Sequence, residues 1–110
     1  MTTVENVQST ISYLEKELAE FKASDSDLTF FGRASQLARA KRHLNFLERI
    51  MPQMLSAGIE VIEVANYGYK YQDRVYYPKK DVTKIGNRWI TGGRKHIKFL
   101  IKKLQEQGNE

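Results

Sequence analysis

The stretch NYGYKYQDRVYYPKK, residues 66–80, places a tyrosine at every second position up to a polar Gln72–Asp73 pair and then returns to aromatic and β-branched residues. A period of two is typical of strands with one buried face, and the polar pair between two such runs predicts a hairpin turn. With the turn there, the predicted cross-strand pairs are Tyr69 with Tyr76 and Tyr71 with Arg74 on one face, and Lys70 with Val75 on the other.

A second hairpin is predicted in VTKIGNRWIT, residues 82–91, because Gly86–Asn87 tolerate the positive φ that a two-residue turn needs. Upstream, IEVIEV at residues 59–64 carries β-branched residues around two glutamates. We therefore expect three or four antiparallel strands within residues 58–91.

Residues 1–57 predict an antiparallel helical hairpin, because apolar residues recur there at intervals of three and four. The seam of the first helix is Val4, Val7, Ile11, Leu14, Leu18 and Phe21, and that of the second is Leu37, Ala40, Leu44, Leu47, Met51 and Met54. Each seam is expected to pack against the other as core.

Local signals set the expected ends of these two helices. Thr2 and Glu5 have the spacing of a capping box, and the polar stretch at residues 23–32, which ends in Gly32, predicts a loop before a second helix that starts near Arg33. Pro52 lacks a backbone N–H, which predicts a kink near residues 50–51 and a last turn that ends at Gly58.

A final helix is predicted over residues 92–107. Its inward residues are Ile97, Leu100, Ile101 and Leu104, and its outward residues are Arg94, Lys95, Lys98, Lys102 and Lys103. The fold class is therefore α+β, with an N-terminal antiparallel helical hairpin, a three- or four-stranded antiparallel sheet and a basic C-terminal helix, in a single domain over residues 1–110.

Composition narrows the class of protein. The chain has 110 residues, 41% of them hydrophobic, and no cysteine, which excludes disulfides and thiolate ligands and fits a reducing, cytoplasmic setting. No apolar run approaches the roughly 18 residues of a membrane span, so we expect no membrane partner.

Charge is unevenly distributed along the chain. The first 30 residues hold six acids and two lysines, whereas residues 31–110 hold 16 basic and seven acidic residues. Eleven cations lie between residues 70 and 103, opposed only by Asp73 and Asp81. Such a block favours an anionic partner.

Residues for enzyme chemistry are scarce. His43 and His96 are the only histidines, and no pair of potential ligands has a familiar metal-binding spacing. We expect His43 to be solvated or partly packed, and His96 to lie at the edge of the core. We therefore expect no enzyme activity, no metal and no cofactor.

The start of the last helix, ITGGRKHIKFLIKK at residues 90–103, has two cations where the helix dipole favours acids. A phosphate bound at the N–H groups beside Gly92–Gly93 would remove that conflict. The alternative is that the glycines only turn the chain and the lysines only solubilise the helix.

Aromatic residues interleave with the cations of the sheet. On an exposed sheet face they would stack on unpaired bases, and Tyr69, Tyr71 and Tyr76 are the set that we expect to be exposed. The alternative is packing beneath the helices. A second cationic stripe, Arg39, Arg42 and Arg49, lies on the predicted second helix.

Over residues 33–107, the order of a long helix, antiparallel strands and a final helix resembles a double-stranded RNA-binding domain. The last helix of that family opens with a K-K-x-A-K motif, whose basic positions Arg94, Lys95 and Lys98 would fill, while Ile97 departs from the alanine. The family's glycine-proline loop has no counterpart here. The resemblance implies phosphate contacts from this helix.

The leading hypothesis is a small non-catalytic protein that binds DNA or RNA through the basic helix and a β-hairpin. The alternative is a protein-interaction module, such as an inhibitor or adaptor of a phage or mobile element, whose basic face binds an acidic partner protein. A homodimer through the helical hairpin is a further hypothesis. The predicted nucleic-acid-binding residues are Arg94, Lys95, Lys98, Lys102, Lys79, Lys80, Lys84, Arg88, Arg74, Tyr69 and Tyr71.

Overall fold

The computed structural model describes residues 2–20 and 27–108 and has the predicted α+β architecture. Its helices are α1 (Val4–Ala19), α2 (Asp27–Asn45), α3 (Met51–Ser56) and α4 (Gly93–Gly108). Its strands are β1 (Ile62–Val64), β2 (Gly68–Tyr71), β3 (Arg74–Tyr77), β4 (Val82–Ile85) and β5 (Arg88–Thr91). The sheet has five strands, so the prediction of three or four was wrong.

The helices α1 and α2 pack as an antiparallel hairpin. Near the connection, Arg33 pairs with Glu17 at 3.0 Å, and at the far end Gln8 donates to Glu48 at 3.2 Å. The buried side chains between the two helices come from the predicted seams: Val7, Ile11, Leu14 and Ala40. Phe21, which was assigned to the first seam, lies outside the described residues.

The helix ends differ from the sequence prediction in two places. Thr3, not Thr2, caps α1, because its hydroxyl accepts a hydrogen bond from the Asn6 N–H at 3.2 Å. The helix α2 begins at Asp27, so Gly32 lies inside it and residues 27–32 do not form the predicted loop. Residues 23–26 of that predicted loop lie outside the described part of the chain.

The irregularity predicted at Pro52 is present. A π-helical turn, Phe46–Ile50, joins α2 to α3, and the Met51 N–H bonds back to the Phe46 carbonyl. The wider turn keeps Phe46, Leu47 and Ile50 buried while the chain enters α3. Beyond α3, Gly58 has φ of 86°, in agreement with the predicted end of the helix.

The sheet is an antiparallel meander in the order β1-β2-β3-β4-β5. Both predicted turns are confirmed, since Tyr71 pairs with Arg74 and Ile85 with Arg88. The pairs Tyr69 with Tyr76 and Lys70 with Val75 are also confirmed. Besides the four strands of the two hairpins there is β1, which lies within the β-branched stretch 59–64, has only three residues and is followed by a 3₁₀ turn, Ala65–Tyr67.

The helices cover one face of the sheet, the inner face. Phe46 lies 4.7 Å from the Tyr69 ring and 5.5 Å from the Tyr76 ring, measured between centroids. From α4, Ile97 and Ile101 are buried, and Leu100 and Leu104 are half-buried, as predicted. The opposite, outer face carries Lys70, Lys84 and Trp89 in one cross-strand row.

His43 is part of this core. Its side chain is 1% exposed, and Nε2 lies 2.6 Å from the Tyr69 hydroxyl. Burial, followed by the charge of Lys79, lowers the pKa of His43 from 6.5 to about 4, so the imidazole is neutral at pH 7. The expectation of a solvated or partly packed His43 was wrong.

Acidification is expected to destabilise the fold through His43. Between about pH 6.5 and pH 4 the unfolded chain binds a proton that folded His43 does not. The free energy of unfolding should therefore fall by up to about 3 kcal/mol across that window and be level above it. Urea unfolding at a series of pH values measures the fall.

His96→Gln is the matched control, because His96 is exposed and its loss should leave this pH dependence in place. His43→Gln should flatten it. The lowered pKa of Glu63 acts in the same direction, but only below about pH 4.5. An unchanged slope in His43→Gln would contradict the assignment.

The approach of α4 to the sheet depends on Gly93. A Cβ built at this residue would collide with the Thr83 hydroxyl oxygen and would lie 2.9 Å from Cδ1 of Tyr76. Thr83 and Tyr76 are buried, at 4% and 2% exposure, so neither side chain can move into solvent to make room. A side chain at residue 93 would push α4 off the sheet.

Gly93→Ala should lower the free energy of unfolding by about 1–3 kcal/mol, because it overpacks this contact. Gly32→Ala is the matched control: Gly32 lies within α2 with open space around it, so alanine there should stabilise by roughly 0.5–1 kcal/mol. Denaturant unfolding measures both variants. Equal effects in the two would argue against close packing at Gly93.

Candidate nucleic-acid interface

The tyrosines predicted to be exposed are buried. Tyr69, Tyr71 and Tyr76 are 2%, 1% and 2% exposed, because the register places all three on the inner face beneath the helices. Burial raises the pKa of each hydroxyl. Base stacking by Tyr69 and Tyr71 is therefore excluded in this conformation.

A different aromatic pair lies on the outer face. The rings of Tyr77 and Trp89 are 5.5 Å apart between centroids and tilted by 38°. Trp89 is 59% exposed, and Lys84 Nζ lies 5.5 Å from the centre of its ring. Together they form an aromatic surface, with the Lys84 cation over the indole ring.

Gly68 shapes the surface beneath this pair. A Cβ at Gly68 would lie 2.7 Å from Cε1 of Tyr77 and 2.8 Å from Cγ1 of Val75. The absence of a side chain therefore lets the Tyr77 ring lie against the sheet and present its other side outwards. In the sequence, Tyr77 was indistinguishable from the buried tyrosines, and only the strand register separates them.

The outer face is free of carboxylates. Strand pairing and side-chain alternation place ten residues of the five described strands on it. They are Ile62, Val64, Gly68, Lys70, Val75, Tyr77, Val82, Lys84, Trp89 and Thr91. The only charges among these ten are the two lysines, so the face is apolar with a positive potential.

The first turn of α4 already has an anion, and that anion belongs to the protein. The carboxylate oxygen Oδ1 of Asp81 accepts hydrogen bonds from the Arg94 N–H at 3.3 Å and from the Tyr76 hydroxyl at 2.7 Å. The Gly92 N–H also donates to the Asp81 carbonyl at 2.9 Å. Asp81 therefore complements the helix dipole at the place where the sequence suggested a phosphate.

The glycines before α4 have structural roles as well. Gly92 has φ of 78°, which turns the chain out of β5, and Gly93 is buried against Thr83 and Tyr76. Arg94, Lys95, Lys98 and Lys102 are exposed, as predicted. Because α4 packs on the inner face, these cations lie on the other side of the sheet from Tyr77 and Trp89.

A basic rim forms where the β3–β4 turn meets α2 and α4. The Arg42 Nε donates to the Lys79 carbonyl at 2.9 Å, and Arg42 and Arg94 line one cavity of about 60 Å³. Burial and then the charge of Arg39 lower the pKa of Lys79. We define the basic rim as Arg39, Arg42, Lys79, Lys80 and Arg94.

The remaining predicted cations are distributed over both faces. Arg74 lies on the inner face, where its guanidinium contacts Asp73 at 3.2 Å and Nε2 of His96 at 3.0 Å. His96 is exposed, not packed at the edge of the core. Arg88 pairs with Ile85 at the end of the last hairpin, and Lys84 is on the outer face.

The described residues, 2–20 and 27–108, hold no group of three or more His, Asp or Glu side chains placed to bind a metal ion. Among the same residues no helix is long and apolar enough to cross a membrane.

No family model, no curated protein and no solved structure matches this chain. The order of helix, antiparallel strands and helix is present, but the resemblance to a double-stranded RNA-binding domain remains a resemblance of element order alone.

Loss of the Asp81 carboxylate should destabilise the protein. Asp81→Ala leaves the part-buried Tyr76 hydroxyl and the start of α4 without their acceptor, so the free energy of unfolding should fall by about 1–3 kcal/mol. Asp81→Asn keeps an acceptor and tolerates the φ of 52° at this residue, so its loss should be smaller. Denaturant unfolding measures both.

A double-mutant cycle with Tyr76→Phe tests the contact itself. The combined loss should be smaller than the sum of the two single losses, because both variants remove the same hydrogen bond. Additive losses would show that Asp81 and Tyr76 act independently. Asp73→Ala, at a largely exposed acid in the preceding turn, should change stability by less than about 0.5 kcal/mol.

Proposed function

We propose that this chain is a small non-catalytic nucleic-acid-binding protein that uses the outer sheet face to hold unpaired bases. The supporting observation is the Tyr77–Trp89 pair, with Lys84 beside the indole, on a face without carboxylates. Aromatic side chains next to cations are the arrangement with which proteins stack successive bases of a single strand.

The phosphates of such a strand would be held by side chains. Lys70 and Lys84 lie on the outer face, and Lys79 and Lys80 of the basic rim lie in the turn that follows Tyr77, the last residue of β3. Lysine and arginine contacts to phosphates carry little sequence information, so binding should depend on salt and vary little with base sequence.

A protein partner is the second candidate. The edge strand β5 favours it, because all four of its side chains are exposed and two of them, Trp89 and Ile90, are large and apolar. An exposed, partly apolar edge strand pairs readily with a strand from another chain. On this hypothesis the cations of the outer face would meet carboxylates of an acidic partner.

Two further hypotheses stay as predictions. A homodimer through the helical hairpin would have to use side chains other than the seams, because Val7, Ile11, Leu14 and Ala40 already bury one another. The cytoplasmic setting rests on the lack of cysteine alone.

Fluorescence anisotropy with labelled single- and double-stranded DNA and RNA tests the proposal. Single strands should bind more tightly than duplexes, and Trp89→Ala should weaken that binding by about 5- to 150-fold, because one stacked base is worth roughly 1–3 kcal/mol. The control is Phe99→Ala, which removes an aromatic ring that is 65% exposed on α4. It should leave binding unchanged.

The charge test compares two double variants of equal charge. Lys70→Gln/Lys84→Gln should reduce the log–log salt slope for single strands by roughly 1.4, and Lys98→Gln/Lys102→Gln on α4 should not. A larger loss in the α4 variant would move the interface to α4. If no strand binds at low salt, the nucleic-acid proposal fails, and a search for an acidic protein partner follows.

A further inference from the structure

A second concave site lies away from the aromatic pair, where the start of α1, the middle of α2 and the β1–β2 connection meet the β3–β4 turn. It is a cleft of about 350 Å³, within the size range of small-ligand sites. Its polar lining is Thr2, Asn6, Thr10, Glu63, Tyr67 and Lys79. Val7, Ala40 and His43, all buried, form its floor.

The backbone at the edge of this cleft is strained. Asn66 has φ of 64° and Tyr67 has φ of 60°, and consecutive residues with a Cβ rarely adopt this left-handed conformation, least of all a bulky tyrosine. This backbone places the centre of the Tyr67 ring 3.9 Å from Lys79 Nζ and 5.6 Å from the centre of the His43 ring. Strain that fixes a side chain at the edge of a cavity is a feature of ligand sites.

The lining of the cleft holds one carboxylate, Glu63, and one cation, Lys79. Both carboxylate oxygens of Glu63 accept hydrogen bonds from the Thr2 N–H, at 3.2 and 3.0 Å. Lys79 has no ion pair with a carboxylate among the described residues, and Arg39 adds a second positive charge near it. An anionic group at Lys79 would be favoured by both cations.

The side of the cleft formed by α1 presents both donors and acceptors. The Asn6 side-chain amide provides two donors and an acceptor. The Thr10 hydroxyl donates to the Asn6 carbonyl at 3.1 Å, so its oxygen is left as an acceptor. Together with the face and edge of the Tyr67 ring, this is a lining for a flat polar heterocycle joined to an anion.

We infer that the cleft binds one mononucleotide unit, with its phosphate at Lys79 and its base between Tyr67 and α1. This inference rests on the proposed nucleic-acid function, because the cleft adjoins the basic rim through Lys79. The unit is either a free nucleotide or one nucleotide of a bound strand, and in both cases the chemistry is a phosphate ester linked to a base.

The two histidines allow a direct test by NMR. His43 lies in the floor of the cleft, whereas His96 is exposed on α4 and contacts Arg74. The four nucleoside monophosphates are titrated into the full chain while both imidazole signals are followed, with inorganic phosphate and benzoate as comparison ligands. Saturable movement of the His43 signal alone, with a nucleotide but with neither comparison ligand, is the expected result.

Two variants in the β3–β4 turn, each of which removes one positive charge, test where the phosphate binds. Lys79→Gln should weaken the nucleotide-dependent shift of His43 by about tenfold, because it removes a charge-assisted hydrogen bond. Lys80→Gln, an exposed neighbour with the same change of charge, should not. Circular dichroism checks that both variants fold.

Several results would overturn the inference. The first is that the His43 signal does not move at about 10 mM nucleotide. The second is that benzoate or inorganic phosphate moves it as much as a nucleotide does. The third is that Lys79→Gln responds to nucleotides as the wild type does.

The failure of this inference is distinguishable from failure of the proposed function. An oligonucleotide that binds in the anisotropy assay while the His43 signal ignores every nucleotide would refute the cleft site and leave the outer face as the interface. Nucleotides that move the His43 signal while no oligonucleotide binds would support the cleft as a site for free nucleotides and refute the proposed function. Trp89→Ala should leave the nucleotide response of His43 unchanged.

Discussion

The carboxylate of Asp81 joins the turn after β3, the strand β3 and the first turn of α4. It lies in the turn between β3 and β4, accepts a hydrogen bond from the Tyr76 hydroxyl on the inner face, and accepts another from the first turn of α4. Because a helix start carries partial positive charge, this one acid fixes where α4 begins and supplies the negative charge that its first turn lacks. Gly93 can then pack against Thr83, which brings α4 close to the sheet.

The same inner face contains buried polar groups that form hydrogen bonds. Tyr69, Tyr76 and His43 are all buried, and two of their hydrogen bonds, to Nε2 of His43 and to Asp81, have donor–acceptor distances of 2.6 and 2.7 Å. Buried polar groups with partners fix a single arrangement of the elements that carry them, because any shift leaves them unpaired. The outer face has no such constraint, and its aromatic rings remain accessible.

Local patterns were sufficient to predict much of this fold. The seams of α1 and α2, both hairpin turns and the inward and outward residues of α4 all follow from periodicity and turn chemistry, which act over a few residues. The strand count was too low, because the three residues of β1, within the β-branched stretch 59–64, are too few to show a period of two. Gly32 ends the loop that the polar residues predict, yet a glycine inside a helix costs only about 1 kcal/mol, which the packing of α1 on α2 outweighs.

The site was harder to predict, because it depends on contacts between distant residues. Consecutive Tyr76 and Tyr77 lie on opposite faces, and the sequence holds no local sign of which one the helices cover. The aromatic set was therefore placed on the wrong face, although the register itself was correct. In the same way, nothing near Arg94 in sequence reveals that Asp81, 13 residues earlier, accepts its N–H.

The position of Asp81 also constrains how this protein can bind anions. A helix start with free N–H groups would hold a phosphate in a fixed direction, but here Asp81 occupies that place and would repel a second anion. Anion contacts are then left to lysine and arginine side chains, which act as flexible charges and tolerate many geometries. If the outer face binds unpaired bases as proposed, the other sources of selectivity are the Tyr77–Trp89 pair, whose aromatic rings favour flat partners, and Tyr67 at the cleft. On that proposal, selectivity comes from the shape of the bases and from whether the strand is unpaired, and charge sets the affinity.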